Sequence, residues 1–160
     1  MTDDRSTHRL QSVVLDEGSL ASVSRDQEHE RQVAIFDLLE ANYFAPEGAP
    51  DGPYDLRIAL IDNRLALDIT GPGYQFRHLL SLSPFRRVIK DYFMVCESYY
   101  DAIRNATPAQ IESLDMGRRS LHNEGSELLS KRLDGKIATD SDTARRLFTL
   151  ICALHWRGKT

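Results

Sequence analysis

Long apolar runs are missing from this 160-residue sequence, and no stretch approaches the roughly 20 residues that a membrane-spanning helix needs. The opening Met1-Thr2-Asp3-Asp4-Arg5 lacks the basic region and apolar core of a secretory leader, so the expected location is the cytoplasm. Cysteine is scarce. Cys96 and Cys152 both fall inside apolar helical patterns, read as small buried hydrophobes, and are too few for a structural zinc site. A disulfide between them would need an oxidising compartment, for which the sequence offers no support.

A strong excess of one charge is absent as well. The formal net charge is −4, divided as −6 over residues 1–106 (11 Lys+Arg, 17 Asp+Glu) and +2 over residues 107–160 (9 and 7). That asymmetry is too modest for the basic face of a dedicated nucleic-acid binder. The P-loop, GxGxxG, GxSxG and CxxC signatures do not occur.

What is present is the composition of a globular chain: 41% hydrophobic, 28% charged, with six Phe, six Tyr and one Trp. A chain of this size can bury roughly two-thirds of the surface its unfolded form exposes and needs no covalent staples. The expectation is a single α+β domain over residues 1–160, sheet-rich over 8–82 and helical over 83–158.

Residues 1–7 are polar and expected to fray. His8 to Leu15 is aliphatic and β-branched, and Asp16-Glu17-Gly18 closes it as a strand. Ser24-Arg25-Asp26-Gln27 has the form of a capping box. It opens a helix to about Tyr43, with Val33, Phe36, Leu39 and Tyr43 on its apolar stripe. Residues 45–53 read as a Pro/Gly loop. Leu56, Ile58 and Leu60 alternate with small or polar residues, as do Leu65, Leu67 and Ile69 beyond an Asp62-Asn63 turn. Gly71-Pro72-Gly73 makes the next turn, and Phe76, His78, Leu80 and Leu82 a third strand. The spacing predicts a small antiparallel meander, one face buried by helices, with His78 pointing into that face.

From Ser83 the pattern turns helical. Ser83 reads as a cap with Pro84 in the first turn, and Phe85, Val88, Ile89, Tyr92, Phe93, Cys96, Tyr99, Tyr100 and Ile103 keep amphipathic spacing. Thr107-Pro108-Ala109-Gln110 is a second capping box, opening a helix to Leu133 with weak points at Gly117 and Gly125. Asp134-Gly135-Lys136 is a turn. A final helix from about Ser141 is apolar nearly all round and is expected to be the most buried.

Three clusters could carry chemistry. In the helix after Thr107, Asp115, Arg118 and His122 fall in the same sector as Ile111, Leu114, Leu121 and Leu129, within contact range of each other at i, i+3 and i, i+4. Buried charge costs several kcal/mol per ion unless paired, so this stripe has a partner or faces a cavity. As a catalytic site, Arg118 would clamp an anion, His122 move a proton and Asp115 orient. As a structural feature, it would be a helix–helix ion pair beside a hydrogen-bonded core histidine, and this alternative weighs heavier.

The second cluster is Arg86, Arg87 and Lys90, crowded at a helix start where the macrodipole disfavours cations. A bound anion would resolve that conflict, but the alternative that weighs heavier is an Arg87–Asp91 pair with the others solvated or reaching acids elsewhere in the fold. Arg145-Arg146 is a weaker version, with Asp140 and Asp142 beside it. The third is a metal site from His78, His122 and His155, to which no short ligand spacing lends support. No cofactor is indicated. Met94, on the polar side of its helix, hints at a partner surface.

Ser83–Tyr100 (SPFRRVIKDYFMVCESYY), Thr107–Gly125 (TPAQIESLDMGRRSLHNEG) and Asp142–Gly158 (DTARRLFTLICALHWRG), with the opening and the LDEGSL segment, resemble uncharacterised protein family (UPF) 0262 of alphaproteobacteria. The resemblance covers essentially the whole chain and implies a bacterial cytosolic protein, without an activity. The functional expectation is a non-catalytic binding or regulatory protein that recognises an anionic ligand or a protein partner. The alternative is a small hydrolase- or transferase-like enzyme using Asp115, Arg118 and His122. A homo-oligomer is compatible with the sequence; nucleic acid and membrane partners are not expected.

Overall fold

In the computed structural model, residues 7–20 and 24–155 are described. The fraying expected of residues 1–6, the packing of Trp156 and the end of the helical half at 158 lie outside them. The strand expected at the start is β1 (Leu10–Leu15), followed by α1 (Arg25–Glu40) and a short β2 (Phe44–Pro46). Three longer strands follow: β3 (Tyr54–Ile61), β4 (Arg64–Gly71) and β5 (Tyr74–Ser81). A 3₁₀ turn at Ser83–Phe85 leads into α2 (Arg86–Asn105), then α3 (Pro108–Leu133), β6 (Ile137–Thr139) and α4 (Ser141–His155).

The fold is α+β. Strands β3, β4 and β5 form the expected antiparallel meander. Asp62 (φ 48) and Asn63 (φ 61) both take the left-handed conformation that a two-residue hairpin turn demands, in place of the usual glycine. The sheet is nevertheless mixed. β1 lies parallel to β3, with Val13 opposite Leu56 and Leu15 opposite Ile58, because the long crossover through α1 brings the chain back in the same direction. Leu56, Ile58, Leu67 and Ile69 share the buried face. The opposite face is polar, with Arg77 paired to Asp68 at 2.6 Å and Arg57 to Asp16 at 3.2 Å.

Residues 45–53 are not wholly loop, since β2 pairs antiparallel with β6 and places Phe44 opposite Thr139. α1 keeps its Ser24 capping box but ends at Glu40, short of Tyr43. The Asn42 side chain accepts from the Leu10 amide (2.7 Å) and donates to the Leu10 carbonyl (3.2 Å), drawing the chain into the sheet edge. The buried face of α1 is also not the expected one. Arg31, Ala34, Ile35 and Leu38 face inward, while Val33 and Phe36 are exposed. Similarly, His78 and Leu80 turn toward the core as expected, but Phe76 on the edge strand overhangs it and is 52% exposed.

α2 begins at Arg86 rather than at Ser83. Ser83 opens the 3₁₀ turn instead, and its carbonyl accepts the Arg86 amide. α3 runs unbroken through both glycines. At Gly125 a Cβ would stand 2.1 Å from Phe148 Cζ, so the glycine admits the ring against the helix backbone. α4 is the expected central helix, with Phe148 and Leu150 wholly buried. It packs on α1 and on α3, while α2 packs on α3. Consequently α1 and α2 stand on either side of α4, and a groove runs between them.

Candidate functional site

The apolar face of α3 positions the Asp115–Arg118–His122 stripe, and the structure brings together only part of it. Arg118 Nη2 donates to Asp115 Oδ1 at 2.5 Å, and Arg119 Nε stands 3.2 Å from Asp115 Oδ2. The hydrogen bond from Arg118, and then the charges of Arg118 and Arg119, hold the Asp115 carboxyl below the usual aspartate range. The Arg118 guanidinium lies over the Tyr99 ring, 5.3 Å from its centroid, as an arginine does when aromatic surface replaces solvent.

His122 turns away from this pair toward α4. Its Nε2 is 2.7 Å from Thr149 Oγ1, and that hydroxyl donates to the Arg145 carbonyl at 3.0 Å. A hydroxyl has one proton, so Thr149 accepts from His122, whose Nε2 carries the hydrogen. The ring is flanked by Tyr92 (5.6 Å) and edge-on Phe148 (5.3 Å). Burial, helped by the charges of Arg145 and Arg118, lowers its pKa to about 4. A general base works best with a pKa near the operating pH, and this imidazole is held neutral well below it.

The Arg86–Arg87–Lys90 cluster divides in the same way. Arg87 bonds Asp91 on its own helix at 3.0 Å and Glu124 on α3, clipping the two helices together. Arg86 and Lys90 are exposed, and no ion pair forms on either among the described residues. The first turn of α2 contains no acid and has no side-chain cap. Its leading amides are partly consumed by the 3₁₀ turn, so an anion here would be held chiefly by side chains. The second arginine pair is spoken for: Arg145 donates to Asn123, and Arg146 to the Ala41 carbonyl at the end of α1.

Arg86 and Lys90 line one end of the groove, whose volume is about 640 Å³. Val33 and Ala34 of α1 form one wall, Ile89, Phe93 and Tyr100 of α2 the other, and Cys152 and Ala153 of α4 lie along the floor. Asp115, Arg118 and His122 do not line it. Tyr92, Cys96 and Thr149, which do, stand between the stripe and the groove. Burial raises the pKa of both thiols and of the Tyr92 hydroxyl, so all three stay protonated and present uncharged surface. Sequence reasoning missed the α1 wall. The signal was there in α1, which carries apolar residues on two arcs (Ala34, Ile35, Leu38 and Val33, Phe36), more than one interface covers.

The three histidines offered as metal ligands do not meet. His78 lies tilted against Phe76 (4.6 Å between ring centroids), His155 Nδ1 bonds the Ile151 carbonyl (2.7 Å), and His122 is held by Thr149. Among the described residues no group of three or more His, Cys, Asp or Glu is placed to hold a metal ion. No helix among them is long and apolar enough to cross a membrane.

These features define a small α+β protein with a central buried helix and an apolar groove edged by two bases that have no ion pair among the described residues. Residues 7–157 match the family model described as uncharacterised protein family UPF0262, and the chain belongs to that family. It is 77% identical to the UPF0262 protein of Phenylobacterium zucineum over 159 residues, covering 99% of this chain and 100% of the relative. The Caulobacter vibrioides NA1000 protein is 71% identical (98% and 99% covered), and that of Xanthobacter autotrophicus 59% (98% and 97%). No solved structure matches the chain.

Proposed function

We propose that this chain is a non-catalytic binding protein whose ligand lies in the α1–α2 groove and presents an anionic group to Arg86 and Lys90. The observation that carries the reading is the position of these two bases. They have no ion pair among the described residues, and they close one end of a groove whose other surfaces are mainly apolar. Ligand sites are commonly concave, of about 300–1,000 Å³, and apolar apart from a few polar groups that fix orientation.

The protein-partner form of the reading draws on Met94, 56% exposed within the groove, and on Phe36 of α1, 66% exposed. The enzyme reading loses ground, because Asp115 and His122 are committed to Arg118 and Thr149, and none of the stripe lines the groove.

A thermal-shift series on the purified chain tests the proposal, using phosphate, short carboxylates, nucleotides and divalent metals. A ligand that binds only the folded state raises the melting temperature. Anions are expected to raise it in the wild type and not in the Arg86→Ala/Lys90→Ala double variant. An equal rise in both proteins would place the anion elsewhere and overturn the reading.

A further inference from the structure

We infer that the ligand of this groove is a long-chain aliphatic monoanion, with its carboxylate at Arg86 and Lys90 and its hydrocarbon tail lying along α4. The inference rests on the binding reading above and adds the ligand's chemical class.

Length comes first. From Arg86 to Tyr100 the α2 wall spans 14 residues, about 21 Å at 1.5 Å per residue. An extended hydrocarbon chain fits along that length.

The charge pattern gives direction. The bases stand at the end near Asn63 and Leu82. At the Tyr100 end are Glu30 and Glu97, and Glu30 lies close enough to raise the Tyr100 pKa. Asp37 lies on the α1 wall between these ends. A second negative charge along the ligand would meet these acids, which disfavours polyphosphates and dicarboxylates. Apart from Asp37, the surface between the ends is uncharged: Ile89, Phe93, Val33, Ala153 and two protonated thiols. The exposed Val33 (40%) and Tyr100 (58%) are apolar surface that such a tail would cover.

Calorimetric titration of the full chain with sodium octanoate, decanoate and dodecanoate, each below its micelle concentration, tests this. Burial of each added methylene is expected to raise affinity roughly three- to fourfold. Arg86→Ala/Lys90→Ala should weaken dodecanoate about tenfold or more, dodecyltrimethylammonium should not bind, and Ala153→Trp, which fills the floor, should abolish binding. Should Ala153→Trp not fold, the rate of Cys96 alkylation in a Cys152→Ser background gives a second measure, and dodecanoate is expected to slow it.

Equal affinity for octanoate, dodecanoate and inorganic phosphate would overturn the aliphatic class and leave the anion site standing. Equal binding of dodecanoate and dodecyltrimethylammonium would remove the role of the bases and overturn both readings. So would the absence of any binding together with unprotected Cys96.

Discussion

His122 gives up its protonated form on folding, and the sign of the consequence follows. Its folded pKa of about 4 lies below the unfolded value near 6.5, so between these values the unfolded chain binds more protons. Stability should therefore fall as pH drops through that window. Asp115 is also shifted downward, but from 3.8, so its loss begins only near the window's lower edge. His78 is lowered too, by burial and by Lys136, and contributes in the same direction. Replacing His122 by Gln removes one contribution and leaves the others. Melting curves from pH 7.5 to 4.5 should show the wild type's advantage over His122→Gln narrowing with acid; a constant gap would mean that His122 is not held neutral.

Arg31 is the other unusual residue. Its side chain is wholly buried, and Nη2 reaches only the Leu154 carbonyl at 3.4 Å, while Nε and Nη1 have no hydrogen-bond partner among the described residues. A cation near the last carbonyls of α4 is favoured by the helix dipole, but its desolvation is costly. Arg31→Met should therefore be as stable as the wild type or more so in urea, while Arg31→Ala leaves a cavity and costs about 2–5 kcal/mol. A large loss in the Met variant would show that the charge itself is needed.

Between elements, close approach is decided by single glycines. Both Gly117 and Gly125 look permissive in the sequence, yet they face different surroundings. An added methyl at Gly117 meets only Val95 Cγ1 at 4.0 Å, an ordinary contact, and removes the helix penalty of glycine. Gly117→Ala should stabilise the chain by about 0.5–1 kcal/mol. Gly125→Ala drives a methyl into the Phe148 ring and should cost about 1–3 kcal/mol or more. Equilibrium urea unfolding of the two variants checks both signs, and the same sign for both would contradict the packing of α3 on α4.

The elements most legible in the sequence were those with long periodicity or paired caps. The Ser24 and Thr107 boxes and the alternation from Leu56 to Leu80 locate two helix starts and three strands. What escaped notice lacks a local signal. β2 and β6 are three residues each, too short to alternate, and meet only across some 90 residues of chain. The parallel placement of β1 is a property of the crossover, not of Leu10–Leu15. The apolar residues of α1 show an amphipathic helix but not which of two arcs turns inward; packing on α4 decides that, and the decision creates the groove wall.

At the scale of the whole molecule, α4 spends its surface on α1 and α3, and the α1–α2 groove is what remains above it. The same arrangement explains why the polar stripe was visible and its meaning was not. Asp115, Arg118 and His122 announce themselves by breaking an apolar pattern, but Thr149, Tyr99 and Tyr92, which receive His122 and Arg118, lie on other helices. Arg86 and Lys90, by contrast, were legible as misplaced cations, and what remained to be found was the groove they edge.

The groove and the stripe can be separated directly by ¹H–¹⁵N spectra of the full chain titrated with dodecanoate. Shift changes are expected to gather on residues 30–37 of α1 and 86–100 of α2, with Ala153, and to be lost in Arg86→Ala/Lys90→Ala. Changes centred instead on Asp115, Arg118 and His122, with the groove amides unmoved, would contradict the assignment of the binding site.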